Sequence, residues 1–496
     1  MVVSKKITFY VLTIFLFFVI TGFSLNVQAA EKNYIRVGLY YGNTSENRYE
    51  LTFDNGVRIA KFYGTEIIGG SQYDDARVLV ANFQNGYAEF TLRDKTGTEI
   101  RKFDLNDANL IIPLDFEGDG GFKVKDKNYR GAVLFNDLKG TLNLINYIDE
   151  EKYLYGVVGN EIGKSAPHEA QKAQAVACRS YSRVKQGTHE NYGFDICSTP
   201  HCQYYRGKDS ESAAVSRAVD DTFGKTIKYN GRTVAAFYSK NSGGYTSASE
   251  DIWNERLPYL RAKEDRYSPD FTWKKSFTKR EIEAKLVNAG KGVGNLRALR
   301  VEERASSGAV KALTFIGDDG SATVEKDKIR TTLGTSDLKS LMFTFDGDFK
   351  NVKSAKDVNS QKQSGDVKQS QVYVIGKNGQ SSMSISNEVA CISSERGIVQ
   401  SRNFKLANSE CISASGRLKL QDVRDNNSSD SNYATNDLYA KIGGSDYISA
   451  DGDMLFTGLG YGHGVGMAQD GAIEIANRGF GYEDILKYYY DDISVD

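Results

Sequence analysis

Three groups of residues in this 496-residue sequence have types and spacings that suit chemistry. In "NEIGKSAPHEAQKAQAVACRSYSRVKQG", residues 160 to 187, Glu161 is an early acid ahead of a helical pattern whose buried face is nearly all alanine. In "THENYGFDICSTPHCQYYRG", His189, Cys197, His201 and Cys202 fall within fourteen residues and use two of the four histidines. In "LFTGLGYGHGVGMAQDGA", five glycines from Gly458 to Gly466 surround His463.

Each group has more than one reading. Two thiolates and two imidazoles complete a tetrahedral zinc shell, and four protein ligands leave no open position for water, so such an ion would be structural. The competing reading is a Cys197–Cys202 disulfide, or a pairing of Cys178 with one of the two. Glu161 is either a solvated helix-end acid, a partner in a buried ion pair, or the acid of a reaction. It lies between the apolar "YLYGVV" and the alanine pattern, which predicts partial burial. Burial raises a carboxyl's pKa and suits it to proton donation. His463 sits where glycines let backbone amides approach a ligand; it either lines a site or satisfies the loop's own carbonyls.

The elements that must position these groups are legible as patterns. Residues 34 to about 118 alternate apolar and polar residues between Gly, Asn and Asp turns, as short strands do. A hairpin-like pair at 129 to 149 feeds into the helical "EEKYLYGVVGNEI". In the following helix Ser165 is a candidate N-cap, Pro167 falls in the first turn, and Gly187 ends the pattern. Ala170, Ala173, Ala177, Tyr181 and Val184 recur along one stripe, which predicts close packing against another backbone. Residues 210 to 253 read as helix, strand, an Asn230-Gly231 turn, strand and a polar loop. Residues 276 to 290 carry a capping box of Thr278 and Glu281. Helices are expected from about Met467 and from Tyr482.

The expected fold class is α+β. The parts are a leader at 1–30, an accessory β-rich module at 31–120, a catalytic domain at 121–348 and 441–496, and polar linkers with a small β-rich insertion at 349–440. The leader has Lys5 and Lys6, an apolar run from Ile7 to about Phe23, and small residues at Ala29 and Ala30, so it reads as an export signal or a retained N-terminal anchor. Either way the bulk of the chain is expected outside the cytoplasm, at the wall or the outer face of the membrane. Net charge is −1 with both signs interspersed, which indicates no nucleic-acid partner. Of five cysteines, Cys391 and Cys411 are candidates for a disulfide of their own.

The motifs "NEI…SAPHEAQKAQAVACRSYS", "YSKNSGGYTSASEDIW", "IRTTLG" and "GYGHGVGMAQDGA" together resemble the stage II sporulation protein D family and its amidase-enhancer relatives, over about 125–345 and 445–496. The resemblance implies a peptidoglycan lytic transglycosylase that cuts between N-acetylmuramic acid and N-acetylglucosamine and leaves a 1,6-anhydro sugar. Sporulation members prefer strands stripped of stem peptides. The family's catalytic glutamate falls on Glu161, with "NEI" in place of the commoner "NEM". Gln174 and Arg179 stand at matching positions; Arg179 either orients the carboxylate or binds sugar, or is a structural clamp. Ser242, Gly243, Gly244 and Thr246 form a polar loop that contacts a saccharide or is a plain turn. Tyr238 and Trp253 either stack on sugars or belong to the core, and His463 and Gln469 are expected to line the site. Some members carry a Cys/His zinc site just after the alanine helix, matching His189, Cys197, His201 and Cys202. Implied partners are glycan strands and an amidase or other wall protein. The alternatives are a protein that binds glycan or enhances an amidase without cutting, and a hydrolase using a second carboxylate, Glu250 or Asp251.

Overall fold

A computed structural model describes residues 33–347 and 444–496, together with short strand segments between 370 and 417. The expected leader, the linkers with most of the insertion, and the Cys391–Cys411 pairing lie outside the described residues. Among the described residues no helix is long and apolar enough to cross a membrane.

The alternating segments form two sheets in a mixed α+β architecture. The first has seven strands, in the order Ile196–Cys197, Tyr34–Tyr40, Asn143–Asp149, Ala132–Asn136, Leu110–Pro113, Val57–Tyr63, Glu66–Tyr73. The second has six, in the order Lys127–Arg130, Gly121–Val124, Arg48–Thr52, Ala76–Gln84, Tyr87–Asp94, Glu99–Asp104. Phe135 of the first sheet meets Phe90 of the second at 5.1 Å and Tyr49 at 6.4 Å, so aromatic rings fill the space between them. Strands from both sides of the expected boundary at residue 120 share these sheets. Tyr34–Tyr40 runs parallel to Ile196–Cys197, with Val37 opposite Ile196 and Gly38 opposite Cys197.

Asn143–Asp149 passes directly into the helix Glu150–Glu161, whose N-cap Asp149 accepts from the N–H groups of Glu151 and Lys152 at 3.0 and 3.2 Å. A short turn follows and the alanine helix spans His168–Lys185. Here the sequence reading needs two corrections. Pro167, not Ser165, is the N-cap residue, and no side chain caps the helix. The buried surface is also wider than a stripe, because four helices pack around this one: Glu150–Glu161, Ala213–Asp220, Gln469–Asn477 and Tyr482–Tyr489. Residues 173–180 are all buried, whereas Val184 at the end of the expected stripe is exposed. Small side chains let so many neighbours approach at protein packing density. Gly187, at φ +80°, then carries the chain out of the helix.

Two ion pairs fasten the first helix to the second. Arg179 donates from Nε and Nη2 to Glu151 at 2.7 and 2.6 Å, and Arg183 Nε meets Glu150 at 2.8 Å. The remaining contacts of Arg179 are the Lys225 carbonyl at 3.0 Å and the Val219 carbonyl at 3.4 Å.

The C-terminal segment threads back through the fold. Met454–Leu459 lies between Thr272–Phe277 and Phe343–Phe345, and Met467–Ala468 pairs in parallel with Tyr238–Ser239. Ile493–Val495 pairs with Ile227–Tyr229. Phe345 bridges Ser445, so the two flanks of the undescribed stretch meet. The Thr278–Glu281 capping box and the Asn230-Gly231 turn, with φ of +50° and +75°, both form as their residues predict.

Truncating either Arg179 or Glu151 strands its partner's charge in the interior. Arg179→Ala and Glu151→Ala are each expected to cost about 3–5 kcal/mol, read as a lowered midpoint in urea. A shift within experimental error would contradict the clamp.

Candidate active site and metal cluster

Glu161 is the last residue of its helix, where the backbone leaves the helical ladder and the side chain is half-buried. Its Oε1 accepts from the Tyr204 N–H at 2.9 Å. The side chains of Gln469 and Tyr238 also hydrogen-bond to it. Burial outweighs these three donors, so the carboxyl is held above the ordinary glutamate value. None of the groups acting on it is a second carboxylate.

The donors around Glu161 are themselves oriented. The Tyr238 hydroxyl accepts from Gln203 Nε2 at 3.1 Å and from the Cys178 thiol at 3.5 Å, which leaves its single proton for Glu161. The Gln203 amide is fixed the other way round by Tyr153, whose hydroxyl donates to Oε1 at 3.1 Å. Gln174 donates to Cys178 Sγ at 3.2 Å and accepts from Gln469 at 3.5 Å. Gln174, Gln203 and Gln469 are all buried, so this is a satisfied interior network with one ionisable carboxyl at its edge. Burial lifts the Cys178 thiol to about 12, which keeps it a neutral donor.

The other expected site residues have hydrogen-bond partners of their own. Arg179 is not brought to Glu161; its guanidinium is consumed by Glu151 and backbone carbonyls. The Ser242 hydroxyl donates to Asp265 at 2.7 Å, and the Thr246 hydroxyl to the Arg261 carbonyl at 3.1 Å, both buried. Gly243, at φ +71°, backs onto Gly460, and a Cβ there would meet the Gly460 nitrogen at 3.0 Å. The loop of Ser242, Gly243 and Thr246 is thus committed to internal bonds. His463 uses both ring nitrogens: Nδ1 accepts from the Val465 N–H at 3.1 Å, and the other side of the ring donates to the Tyr238 backbone carbonyl. Burial pulls it down to about 4, so it is neutral, and Trp253 packs against it at 5.1 Å. It ties its own loop to the Tyr238 strand. Gly466, at φ +74° and too close to the Phe237 carbonyl for any Cβ, lets that loop turn into the Gln469 helix. Glu250 is held down to about 2 by Arg261, and Asp251 lies 3.5 Å from Lys311.

His189, Cys197, His201 and Cys202 do converge. Their ligand atoms all lie within 4.8 Å of one another. Cys202 Sγ is 3.5 Å from His189 Nε2 and 3.5 Å from His201 Nδ1, and Cys197 Sγ is 3.7 Å from His201 Nδ1. A tetrahedral ion with bonds of about 2.0–2.3 Å to nitrogen and sulfur demands edges of about 3.3–3.8 Å. The donor set therefore fits a metal, and both thiols are free rather than paired as a disulfide. Tyr41 closes the cluster, packing its ring against Phe194 at 4.8 Å and hydrogen-bonding to Cys197. Cys202 immediately precedes Gln203 and Tyr204, so the loop that would be pinned by an ion also supplies two groups around Glu161.

Gln203 and Tyr204 escaped the sequence reading. A buried glutamine has the same letter as an exposed one, and a backbone N–H has none. The available signal was the position of "QYY" directly after the last cysteine.

A family model described as Stage II sporulation protein (SpoIID) matches residues 138–229, and a Domain of unknown function (DUF8618) matches residues 259–362. The first stretch holds Glu161, the alanine helix and the four metal-type ligands. The chain is 29% identical over 443 residues to the Amidase enhancer of Bacillus subtilis (strain 168), covering 86% of this chain and 53% of that protein. It is 29% identical over 232 residues to an uncharacterized protein of Brachyspira hyodysenteriae, covering 46% and 62%. It is 26% identical over 196 residues to Stage II sporulation protein D of Bacillus subtilis (strain 168), covering 35% and 57%. The chain thus spans a little over half the length of these relatives, and the family resemblance carried by its motifs is borne out.

Two measurements follow from this geometry. Elemental analysis is expected to return about one divalent metal per chain, with Cys197 and Cys202 unreactive until a chelator is added; metal-free protein with both thiols oxidised would refute the cluster. Because the folded pKa of Glu161 is raised, its stabilising contribution is complete below the ordinary value of 4.5 and is lost as pH rises through the raised one. Glu161→Gln is therefore expected to gain stability relative to wild type as pH rises from 4.5 through the raised value. A difference that stays constant across that range counts against burial of the acid.

Proposed function

We propose that this protein remodels the bacterial cell wall as a lytic transglycosylase of peptidoglycan glycan strands, acting outside the cytoplasm. The observation that carries the reading is a half-buried carboxyl with a raised pKa, oriented by three donors, with no second carboxylate among the described groups that act on it. A hydrolase that activates water needs two carboxylates flanking the bond. An intramolecular transfer needs one.

In the proposed step, protonated Glu161 gives its proton to the oxygen linking muramic acid C1 to the next sugar. The C1–O bond breaks and the N-acetylglucosamine end leaves as an alcohol. The muramic 6-hydroxyl then bonds to C1, closing the 1,6-anhydro ring, and its proton passes to the Glu161 carboxylate. The acid is regenerated and no water is consumed. Holding the nucleophile on the same ring supplies the proximity that a second residue would otherwise provide. The three hydrogen bonds to Glu161 support its carboxylate at the midpoint, and burial supports the acid at the start.

At the four-ligand cluster, zinc is the ion that two thiolates and two imidazoles favour. His189, Cys197, His201 and Cys202 would hold it. Its role would be to stiffen the loop, since all four positions are taken by protein.

The second reading is a protein that holds glycan or stimulates an amidase without cutting. It is favoured by the likeness to the Amidase enhancer, which extends over 86% of this chain. Product analysis separates the two. Wild type on strands freed of stem peptides is expected to yield anhydro-muramic ends by mass spectrometry, and Glu161→Gln to yield none while still binding. The rate should fall with rising pH as Glu161 loses its proton, because the neutral form is the donor. If wild type gives no anhydro product, the non-cutting reading stands. If reducing ends appear instead, a hydrolase is indicated.

A further inference from the structure

From Gln203 to Arg206 side chains alternate inward and outward. Gln203 and Tyr205 are buried, whereas Tyr204 and Arg206 are exposed. The inward pair is structural: Gln203 orients Tyr238, and the Tyr205 hydroxyl donates to Asn146 at 2.9 Å. The backbone of Tyr204 is committed as well, its N–H to Glu161 at 2.9 Å and its carbonyl to Asn160 Nδ2 at 3.3 Å. What these bonds leave over is the Tyr204 ring, still 39% exposed on a peptide that touches the candidate acid. The Arg206 guanidinium lies 5.5 Å from its centroid, a cation–π contact that restrains the ring.

We propose that Tyr204 is the sugar-stacking platform of this site, a specificity-determining residue that receives a pyranose ring flanking the bond cleaved at Glu161. The apolar C–H face of a pyranose matches the face of a tyrosine ring, while its hydroxyls remain in water. The rigid peptide hydrogen-bonded to Glu161 sets the distance between platform and acid, so stacking fixes which linkage meets the proton. The proposal rests on the reading of Glu161 as the site of glycan chemistry, but it concerns binding, which can be measured without turnover.

The test uses the folded chain carrying Glu161→Gln, titrated calorimetrically with an N-acetylglucosamine tetramer. Adding Tyr204→Ser is expected to weaken binding roughly tenfold, and Tyr204→Trp to restore it, with little change in Tm because the ring is exposed. In chains that keep Glu161, Tyr204→Ser should raise KM and leave kcat nearly unchanged, since every substitution except proline retains the N–H to the carboxylate. Equal affinity for the Tyr204→Ser and Tyr204→Trp chains overturns the platform, even if wild type produces anhydro ends. Tyr204-dependent binding by a chain that produces no anhydro ends supports the platform and removes the transglycosylase chemistry alone.

Discussion

The buried pair of Arg179 and Glu151 is the interaction on which the arrangement of this molecule depends. A bidentate guanidinium–carboxylate contact tolerates little rotation, so it fixes both the separation of two helices and their relative twist. Glu161 ends one of these helices; Gln174 and Cys178 belong to the other. Without that alignment, groups thirteen and more residues apart in sequence would have no defined distance. Arg183 and Glu150, one turn further on, repeat the contact with Glu150 buried and Arg183 partly exposed. The charges contribute geometry more than net stability, because desolvation offsets much of their attraction.

The consequence of that geometry is a polar network of uncharged side chains with one ionisable carboxyl, Glu161, at its edge. Glutamines, a thiol and two phenols can pair with one another indefinitely without ionising near neutral pH. A carboxyl at the edge of such a network is held between two demands: burial favours its neutral form, and three donors favour its charged one. Burial prevails here, and the donors oppose it, so the carboxyl is held above the ordinary glutamate value while its charged form keeps partners. A proton donor that must also recover its proton requires that balance.

Much of the fold could be read from residue order. The Thr278–Glu281 capping box, the Asn230-Gly231 turn and the alternation of the N-terminal strands follow from local rules. The convergence of His189, Cys197, His201 and Cys202 was legible too, because their short spacing leaves few ways to fold them apart. The site was legible only in part. Glu161, Gln174 and Gln469 meet, from three segments, whereas Ser242, Thr246 and Arg179 spend their polar atoms internally. Nothing local distinguishes a serine that faces a cleft from one that braces a turn; only its tertiary partner, Asp265, decides. The reading of the alanine helix erred for a related reason: a helix surrounded by four neighbours has no outer face for a periodic pattern to mark.

The parallel pairing of Tyr34–Tyr40 with Ile196–Cys197 couples residues about 160 positions apart, and Ile493–Val495 is sewn into the middle of the chain. Both are contacts of high order, and loop closure must precede them. The cluster of cysteines and histidines therefore cannot take its final shape until the first strand has docked, nor can Gln469 reach Glu161 before the last segment has threaded home. Partial chains would hold the acid without its surroundings. Competence of this centre is consequently a property of the completed topology.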